Sequence, residues 1–166
     1  MAKVLIIYST KYGTSKLVAE YIKLKLTDVI VCDILNINIH KIKEADIIIL
    51  GASVYYNGMR GEMKRLLFKE RKALSKPALA LYVCSGVQEE ESRNTQPRNV
   101  FGRRLCNRAL ISICAGYRIE FDKMDVRDKQ FLQRVSRLTE DKEEIYTQEI
   151  DRLIETVEEY LRHSEN

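Results

Sequence analysis

The sequence has no long hydrophobic run. None of its apolar stretches approaches the roughly 18 consecutive residues that a membrane-spanning helix needs, so we expect no transmembrane segment. The first residues run into "KVLIIY" without the basic, apolar and small-residue order of a signal peptide. We therefore expect a cytoplasmic protein, with peripheral contact to the inner face of the membrane as the only membrane association to consider.

Histidines and paired cysteines are also scarce. The only histidines are His40 and His163, which lie far from any predicted ligand-binding loop, and no Ser/His/Asp or Cys/His arrangement can be assembled. The four cysteines are scattered without CxxC or zinc-ligand spacing: Cys32, Cys84, Cys106 and Cys114. We expect reduced core cysteines and no metal site.

The charge balance is mildly basic. There are 28 Lys and Arg against 24 Asp and Glu, which gives a net charge of +4. A basic chain of this kind suits an acidic small molecule, a membrane surface or nucleic acid about equally. Charge alone therefore does not choose a partner, and no other feature of the sequence points to nucleic acid.

The chain has 166 residues, 45% of them hydrophobic, which suits one domain over residues 1–166. Continuous apolar runs predict buried strands over 3–9, 28–34, 45–53, 77–85 and 109–116. Helical spacing predicts helices over 15–26, 59–74 and 126–138, and another from near Thr147. This alternation predicts an α/β fold, a doubly wound five-stranded parallel sheet with helices on both faces. Ligands of such sheets bind at the carboxyl ends of the strands, here in loops 9–15, 53–59, 85–97 and from 116 onward.

The first loop, "STKYGTS", contains small hydroxyl residues and one glycine before a predicted helix. The positive end of a helix dipole and its unpaired N–H groups suit a phosphate, and hydroxyls donate to phosphate without adding charge. Neither GxGxxG nor GxxxxGK[ST] is present. The alternative is an ordinary helix cap. The candidate phosphate-binding residues are Thr10, Lys11, Tyr12, Gly13, Thr14 and Ser15.

The stretch "IIYSTKYGTSKLVA" resembles the amino-terminal signature of flavodoxins. An apolar pair, an aromatic residue, hydroxyl residues, a glycine and a helical alanine recur there at fixed spacing, with Ser15 where the family usually has Thr and Tyr12 where it often has a small hydroxyl residue. The residues on the signature are Ile6, Ile7, Tyr8, Thr10, Gly13 and Ala19. The resemblance implies a flavodoxin-like sheet with strand order 2-1-3-4-5.

The same resemblance implies FMN as the cofactor, with its phosphate in the first loop and its ring between "ASVYYNGM" (52–59) and "CSGVQ" (84–88). A tyrosine of the first of these segments would lie against the flavin, or else pack under a helix. The implied ring-binding residues are Ser53, Val54, Tyr55, Tyr56, Asn57, Gly58, Ser85, Gly86 and Val87.

Residues 3–121 are further similar to the flavodoxin-type protoporphyrinogen IX dehydrogenases, through "YSTKYGTS", "GASVYYNGMRGEMKRLL", a long polar segment at 85–104 and "ICAGYRIEF". This likeness implies an FMN-dependent oxidoreductase of haem biosynthesis that oxidises protoporphyrinogen IX and passes electrons to a quinone or other acceptor. Flavin chemistry needs no catalytic side chain. Arginines that would hold the porphyrinogen carboxylates, or else form a solvated helix face, are Arg60, Arg93, Arg98 and Arg103.

Two other functions are compatible with the sequence. The first is a flavodoxin-type electron-transfer protein that carries electrons between protein partners; such carriers are typically acidic, whereas this chain is net basic. The second is a flavin-free response or binding module, but a receiver domain would need paired acidic residues after the first strand, where this chain has "STKYG".

Overall fold

A computed structural model describes residues 3–55 and 58–164. Seven strands form one sheet, in the order β2-β1-β3-β5-β6-β7, with the short β4 paired to β3. The five long strands β2, β1, β3, β5 and β6 are parallel, which confirms the predicted fold class and strand order. The strands are β1 Val4–Ser9, β2 Val29–Asp33, β3 Ile47–Tyr55, β4 Gly58–Met59, β5 Ala78–Cys84, β6 Ile111–Ile119 and β7 Lys142–Ile145.

Helices cover both faces of this sheet. Alternate residues of the central strands point to opposite faces, so Ile6 packs with α1 and α7, whereas Leu5 packs with α2, α3 and α4. Ile47 to Leu50 are fully buried, as expected of a strand covered on both sides. The helices are α1 Thr14–Lys25, α2 Ile39–Glu44, α3 Gly61–Lys69, α4 Glu90–Phe101, α5 Arg103–Arg108, α6 Val126–Ser136 and α7 Thr147–Ser164.

The polar segment after β5 differs from its predicted form. Instead of a long loop over 85–104, the chain forms a short loop at 85–89 and then α4 and α5. The helical pattern is hidden because α4 buries only Pro97 and Phe101 and contains that proline in its interior, where proline usually interrupts a helix. The predicted loop over 85–97 is therefore wrong beyond residue 89.

Two antiparallel strands were also absent from the predicted sheet. β4 forms a hairpin with β3 by pairing Val54 with Met59, and β7 pairs with the end of β6. Both strands are only two to four residues long, too short to show a hydrophobic period. They extend the sheet around the carboxyl ends of the parallel strands.

Tyr82 joins the sheet to the start of α1. Its ring is fully buried, and its hydroxyl donates to the carbonyl oxygen of Ser15 at 2.8 Å. Gly51 on the neighbouring β3 leaves the space for this ring, because a Cβ there would lie 1.9 Å from the Tyr82 ring. The pair Gly51 and Tyr82 thus fixes the amino-terminal turn of α1 against β5.

Candidate functional site

The candidate site lies where the chain leaves β1 and β3 in opposite directions across the sheet. β1 has β2 on one side and β3 on the other, so the connections after these two strands diverge and leave a crevice at their carboxyl ends. Three segments meet this edge: residues 10–13 after β1, the β3–β4 hairpin, and residues 85–89 after β5. They correspond to three of the four loops that the sequence predicted.

The first segment leaves the start of α1 open. Gly13 has a φ of 94°, a left-handed conformation that favours glycine, and its N–H donates to Thr10 Oγ1 at 2.9 Å. No side chain of the described residues caps α1, although its first N–H groups have no helical partner. A Cβ on Gly13 would meet nothing within 4 Å in the described part of the chain. The start of α1 is therefore free to receive an anion.

The hydroxyls of this turn make contacts that the sequence did not predict. Ser15 is fully buried, and its hydroxyl donates to Tyr82 Oη at 3.3 Å and not outward. The Thr14 hydroxyl donates to the carbonyl oxygen of Arg118 at 3.3 Å. Both hydroxyls thus have partners within the protein, and both residues also offer their backbone N–H; donation of these hydroxyls to a phosphate stays a prediction. Thr10, whose Oγ1 accepts from Gly13, keeps its own O–H for an anion.

Two buried hydroxyls near the strand ends have no hydrogen-bond partner among residues 3–55 and 58–164. They belong to Ser9, the last residue of β1, and Ser53 of β3, which has the Cys84 thiol, a weak hydrogen-bonding group, as a neighbour. Buried polar groups are rarely left unpaired, so these hydroxyls are a second sign that the edge receives a polar ligand or water. Ser53 was among the residues predicted from the sequence, whereas Ser9, which likewise ends a predicted strand, was not.

The β3–β4 hairpin supports the first segment from one side. Tyr55 Oη accepts from the Lys11 backbone N–H at 2.8 Å, and the Tyr55 ring packs edge-on against Tyr12 with ring centres 6.1 Å apart. The Arg60 guanidinium donates to the carbonyl oxygen of Thr10 at 2.9 Å and pairs with Glu62 at 3.0 Å. Arg60, predicted as a substrate-binding residue, thus holds the backbone of the first segment in this structure.

The third segment lies beside β6. The Ser85 N–H donates to the carbonyl oxygen of Gly116 at 2.9 Å, and Gln88 donates to Tyr117 Oη at 3.3 Å. Gly86 and Val87 complete this segment, and Gly86 is exposed. The ring contacts predicted for these residues stay a prediction, and the predicted contacts of Tyr56 and Asn57 lie outside the described residues.

A cluster that the sequence did not reveal covers the other side of the first segment. We call Lys11, Tyr12, Asp125 and Asp128 the Lys11 cluster. Lys11 Nζ lies 2.6 Å from Oδ2 of both aspartates, and the Tyr12 hydroxyl donates to Asp128. Asp128 is buried. More than 110 residues separate the two halves of the cluster, so no local pattern could have indicated it.

The ionisation of the Lys11 cluster follows from these contacts. The ammonium of Lys11 lowers the pKa of Asp125 to about 2, with the Asp128 backbone N–H as the next contribution. The carboxylates in turn raise the pKa of Lys11. Burial, and then the hydrogen bond to Asp128, raises the pKa of Tyr12. The cluster therefore contains a charged lysine and a neutral tyrosine at neutral pH, and the charge of Lys11 is already balanced within the protein.

The Lys11 cluster also holds α6 on the protein. The predicted apolar stripe of this helix is only partly buried: Phe131 and Leu132 are half-buried, Val126 and Val135 are each 68% exposed, and Asp128 is the one buried residue of the helix. A helix that buries so little apolar surface gains little from the hydrophobic effect. We infer that polar contacts to the first segment supply much of the stability of α6.

Replacing Lys11 with methionine should therefore loosen α6. Loss of an ion pair of intermediate burial costs about 2 kcal/mol, which corresponds to roughly 30-fold faster amide hydrogen exchange through local opening of α6. Exchange in β3 and β5 should not change. The matched control is Lys16→Met, since Lys16 is exposed. Unchanged exchange of α6 in the Lys11 variant would mean that other contacts hold the helix.

The predicted substrate arginines do not converge. Arg60 lies at the first segment, whereas the Arg93 guanidinium lies over the Tyr146 ring at 4.4 Å, beside the start of α7. Arg98 is on the third turn of α4, roughly 12 Å along the helix from its start at a rise of 1.5 Å per residue, and Arg103 begins α5 after the break at Gly102. No shared carboxylate site is formed by these four residues.

Comparison with protein families identifies the architecture. The family model described as "Flavodoxin domain" matches residues 5–145. The chain belongs to the flavodoxin domain family. FMN is the cofactor of this family, which confirms the predicted cofactor and the flavodoxin part of the resemblance. A search of curated proteins finds no match, and nothing found supports the protoporphyrinogen dehydrogenase family specifically.

Solved flavodoxins share this fold. The chain is 18% identical to a short-chain flavodoxin associated with a non-canonical PDU bacterial microcompartment, with a TM-score of 0.62 and coverage of 98% of this chain and 99% of that one. It is 15% identical to two-electron reduced Megasphaera elsdenii flavodoxin, with a TM-score of 0.54 and coverage of 67% and 84%. Rubredoxin oxygen:oxidoreductase from Desulfovibrio gigas is 12% identical, with a TM-score of 0.54 and coverage of 93% and 37%.

The described residues form neither a membrane-spanning helix nor a metal-ion site. Across residues 3–55 and 58–164, no helix is both long enough and apolar enough to cross a bilayer. The same residues contain no group of three or more His, Cys, Asp or Glu that could hold a metal ion. The four cysteines are unpaired thiols, and Cys32, Cys84 and Cys114 are buried.

Proposed function

We propose that this chain is an FMN-dependent electron-transfer protein of the flavodoxin type, with redox proteins as its partners. The observation that carries the proposal is the open start of α1 at Gly13, at the carboxyl end of β1, in a chain that belongs to a family of FMN proteins. An uncapped helix start that follows a left-handed glycine is suited to a phosphate monoester.

The residues present fit FMN at this edge. The backbone N–H groups of Thr14 and Ser15, with the hydroxyl of Thr10, would hold the phosphate. Tyr55 and the segment containing Gly86 would lie on either side of the ring. Bound FMN would supply the capacity to accept and release electrons. The protein's part is to fix the cofactor and limit its exposure, and Arg60 contributes by holding the carbonyl of Thr10.

The distribution of charge favours an electron carrier more than the net charge suggests. Residues 64–76 and 98–108 carry ten of the 28 Lys and Arg but only one of the 24 Asp and Glu. The rest of the chain has 18 Lys and Arg against 23 Asp and Glu, a net charge of −5. Three glutamates, Glu89 to Glu91, begin α4 beside the candidate site. Basic redox partners would be attracted to this acidic remainder.

Oxidation of protoporphyrinogen IX with a quinone as acceptor stays a prediction that rests on the sequence resemblance. Arg60, Arg93, Arg98 and Arg103 lie on different parts of the fold, so a shared carboxylate site formed by them does not add support for it. Cytoplasmic location and peripheral membrane contact also stay predictions. We therefore place electron transfer between proteins first.

One experiment separates these functions. The protein is reconstituted with FMN, reduced, and mixed with cytochrome c, a basic acceptor; in parallel, protoporphyrinogen IX and a soluble quinone are added to the oxidised protein. We expect cytochrome c reduction that slows as ionic strength rises, and porphyrin fluorescence that appears no faster than without protein. Faster porphyrin formation would favour the dehydrogenase, and failure to bind FMN would contradict both functions.

A further inference from the structure

A cavity of about 520 Å³ lies between the end of α3 and the segment α4–α5. It is at the amino-terminal ends of β5 and β6, because Arg108 on its wall donates to the carbonyl oxygens of Leu74 and Pro77 just before β5. The candidate FMN site is at the opposite, carboxyl ends of these strands. A cavity of this size is within the range of small-molecule sites, and electron transfer does not account for it.

The floor of this cavity is apolar. Leu74 and Phe101 are 3% and 7% exposed, respectively, and the half-buried Leu67 and Leu105 complete the floor. Such a floor offers no hydrogen bonds to a sugar, a nucleotide base or a peptide backbone, each of which would lose its bonds to water there. A hydrocarbon chain loses nothing by entering it and gains from burial.

The rim of the cavity is basic. Lys72 and Arg104 are exposed and have no ion pair among the described residues, and Arg71 is beside them. Within the described part of the chain, no Asp or Glu lines the cavity. Arg108 is different, since its guanidinium is already bonded to backbone carbonyls, so it shapes the wall and is not available to a ligand. The rim belongs to the two segments that carry the excess basic charge of the chain.

We propose that this cavity binds an anionic amphiphile, a molecule with one alkyl chain and a carboxylate or phosphate headgroup. The alkyl chain would lie on the floor formed with Leu74 and Phe101. The headgroup would accept charge-assisted hydrogen bonds from Lys72 and Arg104. The alternative of an acidic protein surface is disfavoured by the depth of the site, because its floor is made of buried side chains that a flat partner would not reach.

The test is calorimetric titration of the full-length, FMN-reconstituted protein with monomeric dodecanoate, and with dodecyltrimethylammonium, which has the same chain length and the opposite charge. Dodecanoate should bind and the cation should not. The double variant Lys72→Gln/Arg104→Gln should weaken dodecanoate binding by roughly tenfold or more. Leu105→Ser should weaken it by roughly tenfold without changing the selectivity for the anion.

The matched control is Lys23→Gln/Arg127→Gln, which removes the same charge from exposed positions on α1 and α6 and should leave dodecanoate binding unchanged. Vesicles of phosphatidylglycerol distinguish a free amphiphile from a lipid headgroup. Binding to vesicles without any binding to dodecanoate would overturn the cavity site in favour of a membrane-docking surface. Equal binding of the cation, or equal effects of the two double variants, would also overturn it.

Discussion

Replacing Gly13 with alanine is expected to weaken FMN binding by at least about 100-fold while costing the apoprotein only about 1–2 kcal/mol of unfolding free energy. The φ of 94° accounts for the cost in stability. The loss of binding follows because the added Cβ would occupy open space at the start of α1, where the phosphate would approach the N–H groups of Thr14 and Ser15. Quenching of flavin fluorescence measures the affinity.

Gly102 supplies a matched control for this experiment. It also has a positive φ, 86°, and open space around its Cβ position, but it lies between α4 and α5, away from the candidate site. Gly102→Ala should cost at least as much stability, because a ψ of 152° at a positive φ is a conformation open essentially to glycine, and it should leave FMN affinity unchanged. If both variants weaken FMN binding equally, the effect of Gly13 acts through overall stability and the phosphate site at α1 is wrong.

Replacing Gly51 with alanine is expected to have the largest effect on stability, about 3 kcal/mol or more. The added Cβ would lie 1.9 Å from a carbon of the Tyr82 ring, and this ring is fully buried and cannot move without displacing core residues. Chemical denaturation of the apoprotein measures the change. Gly61→Ala is the control, since a Cβ there meets nothing within 4 Å among the described residues.

A double-mutant cycle tests the cause of the Gly51 effect. If the clash with Tyr82 is responsible, Gly51→Ala should cost much less in a Tyr82→Val background, with a coupling of about 1–3 kcal/mol. The valine variant also loses the hydrogen bond from Tyr82 to Ser15, and its own cost is removed by the cycle. A coupling near zero would show that Gly51 is required for another reason.

The parallel strands were predictable because the sequence pattern that specifies each of them is local. Ile47 to Leu50 form a continuous apolar run, and such runs separated by helical patterns specify a covered parallel sheet. The segment α4–α5 was not predictable in this way, since its contacts to the core come from few apolar residues, such as Phe101. The two short strands β4 and β7 depend on their partners β3 and β6, not on their own sequences.

The candidate site was predictable to a similar extent. The turn at Gly13 follows from the order of strand, glycine and helix, and the structure provides the open helix start that this order implies. The contact of the Ser15 hydroxyl with Tyr82, 67 residues away, was not predicted. Tyr12 is placed by Asp128, more than 110 residues away. Such side-chain directions depend on tertiary contacts that no spacing rule contains.

The distribution of charge was also hidden from the sequence totals. The net charge of +4 argued against an acidic electron carrier, whereas the basic excess lies in residues 64–76 and 98–108, four of whose basic side chains line the cavity beside α3 and α5. Net charge is summed over the whole molecule, whereas association with a partner depends on the electrostatic field at the surface that the partner approaches. Because Lys72 and Arg104 lie at the cavity and not at the candidate FMN site, the net positive charge of the chain does not argue against an electron carrier.

The central claim is that the start of α1 binds the phosphate of FMN. Comparing the affinities of FMN and riboflavin for the wild-type apoprotein tests it most directly, because the two molecules differ only in the phosphate. Charge-assisted hydrogen bonds from two or more N–H groups predict that FMN binds at least about 100-fold more tightly than riboflavin. Equal affinities for the two, or no binding of either, would contradict the claim.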